Sequence, residues 1–362
     1  MILRQFAAHS PIATKFYEIR PNISSTQNLS KGISLKISIA MATYNGAAFI
    51  EQQLQSFSSQ TRLPDELVIT DDGSTDDTLE IIKRFALNAP FCVRLFRNPQ
   101  QLGCAQNFGK ALSLCEGDWV FLSDQDDVWF PQKISSVLRY IGSAPFVHGI
   151  INDQEITGPH LEPSGVTKLQ NIERFGLVDE VFMTGCCAAF SQPLIKLGLP
   201  VPNGIMHDIW FGRLATTLHL RMVEREVLQY FRRHDSNTSN WVFSTALPPS
   251  PWKEKFRYLF LTPFEGWTIK ILADQTLIQR IKERREDVIS LGVSTDELDR
   301  ILEKLRTSIP ILEKRLSLCS VPRWRRWPTI VQLSLAGKYR RTNGLVSIVR
   351  DLIMPRSNGK KP

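Results

Sequence analysis

The sequence predicts an α/β protein with a mainly parallel sheet flanked by helices and an α-helical C-terminal extension. Short β-branched runs alternate with helically spaced apolar residues four times between Lys36 and Asp124. The connections between them are short, which implies right-handed βαβ units in one sheet. Beyond Trp241 the pattern changes to long amphipathic stretches. A length of 362 residues also exceeds a typical single core and calls for a second module.

The elements follow in order. Residues 1–34 read as a polar N-terminal extension, 35–240 as the α/β domain and 241–362 as a helical, basic region. KISIAMATYNG (36–46) is a buried strand closing on a turn, and AAFIEQQLQSFSSQ (47–60) a helix. DELVITDDGSTDD (65–77) repeats strand and turn, with Ser74 and Asp77 at capping-box spacing before the helix TLEIIKRFAL. VRLFRN (93–98) and DWVFLSD (118–124) are strands, with the helix NFGKALSLC (107–115) between them. FPQKISSVLRYI (130–141) reads as a helix, and 142–180 carries little pattern. A short strand and helix follow in 182–198, a helix in 207–220, and a strand running into a basic loop in 225–237. Two long helices end the regular part. Ser294 and Glu297 stand at capping-box spacing before the second, and Pro310 should kink it.

The chain is 43% hydrophobic, which excludes a disordered protein, and its net charge is +8. After Leu316 ten basic residues face Asp351 alone, a balance suited to an anionic partner. No zinc-finger, RRM or helix-turn-helix pattern supports nucleic acid. The six cysteines include no C-x-x-C pair and read as buried free thiols in a reducing compartment. No apolar run approaches a membrane span of about 18 residues, and the start is a poor signal peptide. The expected location is the cytoplasm, with peripheral attachment at the inner face of the membrane.

Ligands of open parallel sheets bind beyond the carboxyl ends of the strands. Asp71, Asp72, Asp124, Asp126 and Asp127 all stand at such ends. D-x-D there suits a hard cation such as Mg²⁺ or Mn²⁺ that also holds a substrate phosphate. A solvated acidic turn is the rival reading, and the apolar neighbours Trp129 and Phe130 speak against it. Asp71 or Asp72 could hold a base or ribose, or DDGS could be only a capping turn. Tyr44 could stack on a base or cover the core. Asp208, opening the helix HDIW, suits a general base or a helix cap. Arg232, Arg233 and His234 suit a diphosphate and a metal, or a basic surface loop. ATYNGAAF lacks the G-x-G-x-x-G of a dinucleotide fold.

Taken together, ISIAMATYNG, ELVITDDGSTDDT, GDWVFLSDQDDVWFPQKI, TGCCAAFSQ, HDIWFGRLA and FRRHDSNTS resemble glycosyltransferase family 2 over about residues 36–240. The DQDDVW form is similar to its bacterial rhamnosyltransferase-like branch. The resemblance implies a GT-A fold, inversion at the sugar, and a nucleotide-diphosphate sugar donor, with dTDP-rhamnose among the candidates. It implies a saccharide or lipid-linked acceptor in cell-surface polysaccharide synthesis such as O-antigen. It places Ala42 and Tyr44 against the nucleotide, Asp71 and Asp72 at the base, and Asp124 at the donor. It makes Asp126 the metal ligand, with His234 beside it, and Asp208 the catalytic base, and sets Arg232 and Arg233 near the donor phosphates. Cys186 and Cys187 depart from the small or polar residues expected on the acceptor side. A non-catalytic sugar or lipid binder on a decayed transferase fold is the alternative. Retention of Asp126, Asp208 and His234 together argues against it.

Overall fold

The computed structural model describes residues 15–19, 35–174, 182–235, 237, 244, 263–341 and 344–354. The chain divides into two compact units, Met1–Ala246 and Leu247–Pro362.

The first unit is one mixed sheet. Its centre is parallel: β2 (Ile37–Thr43) lies between β3 (Glu66–Asp71) and β5 (Trp119–Ser123), and β4 (Cys92–Arg97) lies outside β3. Helices α1 (Ile50–Ser58), α2 (Thr78–Ala86) and α3 (Cys104–Leu114) make the crossovers. All six residues of β3 are buried, which is why its middle, Leu67–Ile69, is a continuous apolar run rather than an alternating one. Ile39, Met41, Ile69 and Phe121 form the core with Leu54, Phe57 and Ile82 from the helices. Parallel strands of one sheet all end at the same edge, so the loops after Thr43, Asp71 and Ser123 converge there.

The expectation of parallel strands holds for this centre, and the flanks bring in antiparallel pairs. β1 (Lys15–Ile19), inside the expected polar extension, pairs with β4. On the other side β9 (Ala188–Ser191) pairs antiparallel with both β5 and β7 (Gly149–Thr157). β10 (Arg221–Arg232) runs parallel to β7 with two register shifts. The two-residue strand β6 (Val128–Trp129) pairs with β10, and β8 (Pro163–Thr167) pairs with β7. Helices α4 (Lys133–Ser143), α5 (Lys168–Arg174), α6 (Gln192–Gly198) and α7 (His207–Thr217) complete the unit.

Two expectations need correction. The poorly patterned stretch 142–180 holds β7, β8 and α5. β7 hides from a hydrophobic pattern because Asn152, Asp153 and Gln154 in its middle are buried. The capping box at Ser74 does not form. Ser74 Oγ donates to Asp71 Oδ2 at 2.5 Å, and Asp77 caps α2 without a side-chain bond.

The second unit contains α8 (Pro263–Glu283), α9 (Arg285–Ser290), α10 (Thr295–Ser317), α11 (Trp327–Leu335) and α12 (Gly344–Ile353). Ser294 Oγ accepts the Glu297 N–H as expected, and α10 continues on both sides of Pro310. Trp267, Ile271, Ile309, Leu312, Cys319 and Met354 form its core. Beside it Asp351 is fully buried. Its carboxylate receives Arg315 Nε at 2.8 Å, Arg315 NH2 at 2.9 Å and the Tyr339 hydroxyl at 2.7 Å.

Candidate active site

The acidic loop joins the centre of the sheet to its far edge. Asp124–Asp127 follow β5 directly and precede β6, which pairs with β10. Trp129 anchors the far end. It is 2% exposed, lies edge-on to Phe57 with centroids 4.8 Å apart, and receives Lys133 Nζ 4.1 Å over its ring. Burial of this anchor keeps the loop from being a freely solvated turn.

Gln125 ties the loop to the end of β2. Its side-chain amide accepts the Tyr44 N–H and donates to the Tyr44 carbonyl, both at 3.0 Å. Gly46 makes room for it, since a Cβ there would stand 2.3 Å from Gln125 Oε1. Tyr44 is 46% exposed, as a stacking residue must be. Ala42 is half-buried, opposite Thr70 in the register of β3.

The three aspartates of DQDD differ in surroundings. Asp126 Oδ2 accepts from His234 Nε2 at 2.9 Å and from Asn237 Nδ2 at 3.1 Å. Among the described residues no donor reaches its Oδ1. His234 in turn stacks on Phe49 with centroids 4.3 Å apart. Asp127 is fully buried and accepts from Gln229 Nε2 at 2.9 Å and the Arg232 N–H at 3.3 Å, so it fastens the loop to β10. Burial and the Asp126 charge push it up to about 7. Asp124 is half-buried. Burial, then Asp126, Asp127 and Asp208, drive it well above the carboxylate range.

Two groupings could hold a metal. Ligand atoms of Asp124, Asp127 and Cys186 lie within 4.8 Å of one another. Asp127 already serves β10, however, and Cys186 is a buried thiol that burial keeps protonated. A hard cation that carries a phosphate needs accessible oxygens. Asp126 and His234 fit better. Octahedral ligands at 2.0–2.1 Å from an ion stand about 3 Å apart, and these two atoms are 2.9 Å apart. The crowding that raises Asp124 is what a divalent cation relieves.

Resident cations offset part of this charge. Lys133 is 1% exposed and donates to the Cys186 carbonyl at 2.9 Å and to Gln229 Oε1. Lys168, 5% exposed, donates to Thr184 Oγ1. Burial lowers both ammonium groups, while Cys186, Cys187 and the acids oppose that. Sequence reasoning passed over both lysines, because each sits in an otherwise ordinary helix.

Asp71 and Asp72 lie at this edge but are engaged within the fold. Asp71 accepts from Thr43 Oγ1, the Gly73 and Ser74 N–H groups and Ser74 Oγ, which fills its lone-pair sites. Asp72 accepts from Asn98 Nδ2 and from the Leu102 and Gly103 N–H groups, fixing the loop before α3. Arg232 is 3% exposed and donates to the carbonyls of Asp126 at 2.8 Å and Pro159 at 2.7 Å and to Gln52 Oε1. It therefore supports the acidic loop from behind. Arg233 is half-buried, and the Asp126 charge partly opposes the lowering that burial imposes on it.

Asp208 opens α7 half-buried, with Oδ1 accepting the Ile209 N–H at 2.7 Å. Its charge is among those that raise Asp124, so it belongs to the same cluster. Behind it His207 is 4% exposed, stacks on Phe108 at 3.9 Å, and among the described residues has no hydrogen-bond partner at either ring nitrogen. Burial holds His207 below its usual value, against the pull of Asp208. Gly185 permits this packing. A Cβ there would meet His207 Nε2 at 3.0 Å and Asp208 Cβ at 3.2 Å. Neither Gly185 nor His207 stood out in the sequence, since a close approach leaves no local pattern.

The cysteine expectation is corrected at one position. Cys115, Cys186, Cys187 and Cys319 are buried and Cys92 half-buried, but Cys104 is exposed. Partial desolvation at the acidic edge, then the charges of Asp124, Asp208, Asp72 and Asp126, pushes its thiol up to about 12. The Cys186 and Cys187 thiols donate to Gln154 Oε1, at 3.4 and 2.9 Å, and both residues are buried.

Comparison with known proteins identifies the chain as a glycosyltransferase. It is 28% identical over 217 residues to RfbG of Shigella flexneri, described as a dTDP-rhamnosyl transferase, covering 54% of this chain and 72% of that one. It is 30% identical over 106 residues to the putative glycosyltransferase EpsE of Bacillus subtilis, covering 29% of this chain and 38% of EpsE. The chain thus spans well under half the length of that second relative. Among solved structures, S. aureus TarS 1-349 in complex with UDP-GlcNAc aligns with a TM-score of 0.49 at 18% identity, covering 88% of this chain and 90% of that one. Residues 38–198 match the family model described as glycosyl transferase family 2.

Proposed function

We propose that the protein transfers a sugar, rhamnose from dTDP-rhamnose being the first candidate, to a hydroxyl of a saccharide or lipid-linked acceptor in cell-surface polysaccharide synthesis such as O-antigen. The reaction inverts the anomeric carbon and proceeds in the cytoplasm, at the inner face of the membrane. The observation that carries this reading is the meeting of Asp126 and His234, at the ends of two different strands, with Asp208 in the same charge cluster. The description of RfbG supports the choice of sugar.

Asp126 and His234 would hold Mg²⁺ or Mn²⁺, with Asp124 on the donor side. The cation supplies charge neutralisation at the leaving diphosphate. Tyr44 and Ala42 face the nucleotide, and Asp72 fixes the loop beside it. Arg233, half-buried within the field of Asp126, would meet the phosphates, while Arg232 supports the loop. Asp208 Oδ1 is occupied by the Ile209 N–H, which leaves Oδ2 to take the proton of the acceptor hydroxyl. The acceptor oxygen forms its bond to the anomeric carbon as the bond to the diphosphate breaks. The electron pair of that bond departs with the diphosphate.

A panel of nucleotide sugars including dTDP-rhamnose, assayed for binding and hydrolysis with and without Mn²⁺, tests the reading. Donor binding that requires the metal, followed by slow hydrolysis, is expected. Binding of a sugar with no turnover in the presence of any acceptor would favour the decayed-fold alternative.

A further inference from the structure

Each of the last two helices buries one side and leaves the other bare. α11 turns Ile330 and Leu333 into a cluster with Leu318 and Tyr339. Its Trp327, Val331 and Leu335 are 55%, 47% and 86% exposed. They recur every four residues and form one stripe. α12 repeats the arrangement. Ile348 and Leu352 pack on the same cluster, while Leu345, Val349 and Ile353 are 79%, 45% and 38% exposed at the same spacing. Trp324, just before α11, is 71% exposed beneath the Arg325 guanidinium, 4.4 Å from its ring. Bare apolar stripes of this kind, among basic residues, mark an interaction site.

The charge around the stripes has one sign. Arg323 and Arg325 are exposed and Lys338 is half-buried. The one acid between Leu318 and Met354 is Asp351, which is buried against Arg315. That pair, with Arg326 NH1 donating to the Asp351 and Met354 carbonyls at 3.0 and 2.8 Å, braces the helices from within. The stripes are therefore held in place before any partner arrives.

We propose that this face lies in the headgroup layer of an anionic bilayer. The two stripes enter the acyl boundary, Trp324 and Trp327 sit at headgroup level, and the basic side chains meet lipid phosphates. No described helix is long and apolar enough to cross a membrane, so contact is made along the surface. The inference deepens the membrane part of the proposed function and rests on it. It identifies the surface that makes the contact.

The test is co-sedimentation of the full chain with phosphatidylglycerol/phosphatidylcholine vesicles, beside the variant Leu335→Glu/Leu345→Glu. Both side chains are bare, so the fold should survive, with an unchanged melting curve as the check. The parent should bind the anionic vesicles, release them as salt rises, and lose at least about tenfold in partitioning in the variant. Equal binding by parent and variant overturns the proposal, as does a parent that ignores the vesicles. Self-association of the parent without vesicle binding, abolished in the variant, also overturns it and assigns the face to a second copy. Nucleotide-sugar hydrolysis is read separately in solution. Vesicle binding without hydrolysis would fault the transferase reading and leave this face standing.

Discussion

Asp126 and His234 are 108 residues apart in the chain and 2.9 Å apart in space, Oδ2 to Nε2. One ion shared by both should make them interdependent. Asp126→Ala and His234→Ala are each expected to weaken Mn²⁺ binding about tenfold or more in a calorimetric titration. The double variant should lose less than the two losses combined. Strictly additive losses would show that the two do not share an ion.

Asp208→Asn keeps the shape of the α7 N-terminus and removes the proton acceptor. Transfer should fall by about 10²–10⁴ while donor affinity stays within about twofold. Rapid-quench turnover beside a donor titration separates the two quantities. Near-normal turnover would remove Asp208 from the chemistry.

Gly185→Ala probes the same place from the opposite side. The added Cβ would stand 3.0 Å from His207 Nε2 and 3.2 Å from Asp208 Cβ, so the start of α7 must shift by some tenths of an ångström. A decline in kcat of about 10–100-fold is expected, with donor binding retained. Wild-type kcat would mean that the turn yields freely.

His207 sets a pH dependence of stability. Its folded value lies below the usual 6.5, so below about pH 6.5 the unfolded chain binds more protons than the native one. Stability from the neutral ring is complete above that pH and is lost as pH falls towards the folded value. His207→Phe keeps a ring against Phe108 and should flatten this part of the melting-temperature profile. An identical slope between pH 5 and 6.5 in both proteins would assign the effect elsewhere.

Asp351→Ala leaves Arg315 buried without its partner. A loss of about 3–5 kcal/mol is expected, read by denaturant unfolding of the full chain. Arg315→Met/Asp351→Leu removes both charges and should recover most of it. If the double variant is as unstable as the single, the tail depends on the ion pair itself.

The central strands were legible because β2, β3 and β5 are buried on both faces, and burial writes itself as unbroken apolar runs. The acid cluster was legible because strand ends converge in any parallel sheet, and Asp208 because it opens the helix HDIW. β7 was not, since the buried Gln154 finds its partners for Oε1 in Gln229 and two cysteine thiols more than thirty residues away. Side-chain direction was equally hidden. Arg232 and Arg233 look alike in the sequence, yet the first is enclosed by three acceptors while the second is half-buried. Ser74 shows the same limit, because its spacing suited a cap while its nearest acceptor was Asp71.

The fit of Gln125 against Gly46 makes two positions 79 apart a single unit of inheritance. A methyl group at 46 would collide with the amide that links Tyr44 to the acidic loop. A side chain at 46 therefore requires the Gln125 amide to move, whereas a shorter residue at 125 leaves Gly46 undisturbed. Relatives that carry a side chain at 46 should carry a shorter residue at 125, and aligned sequences would display the two changing together.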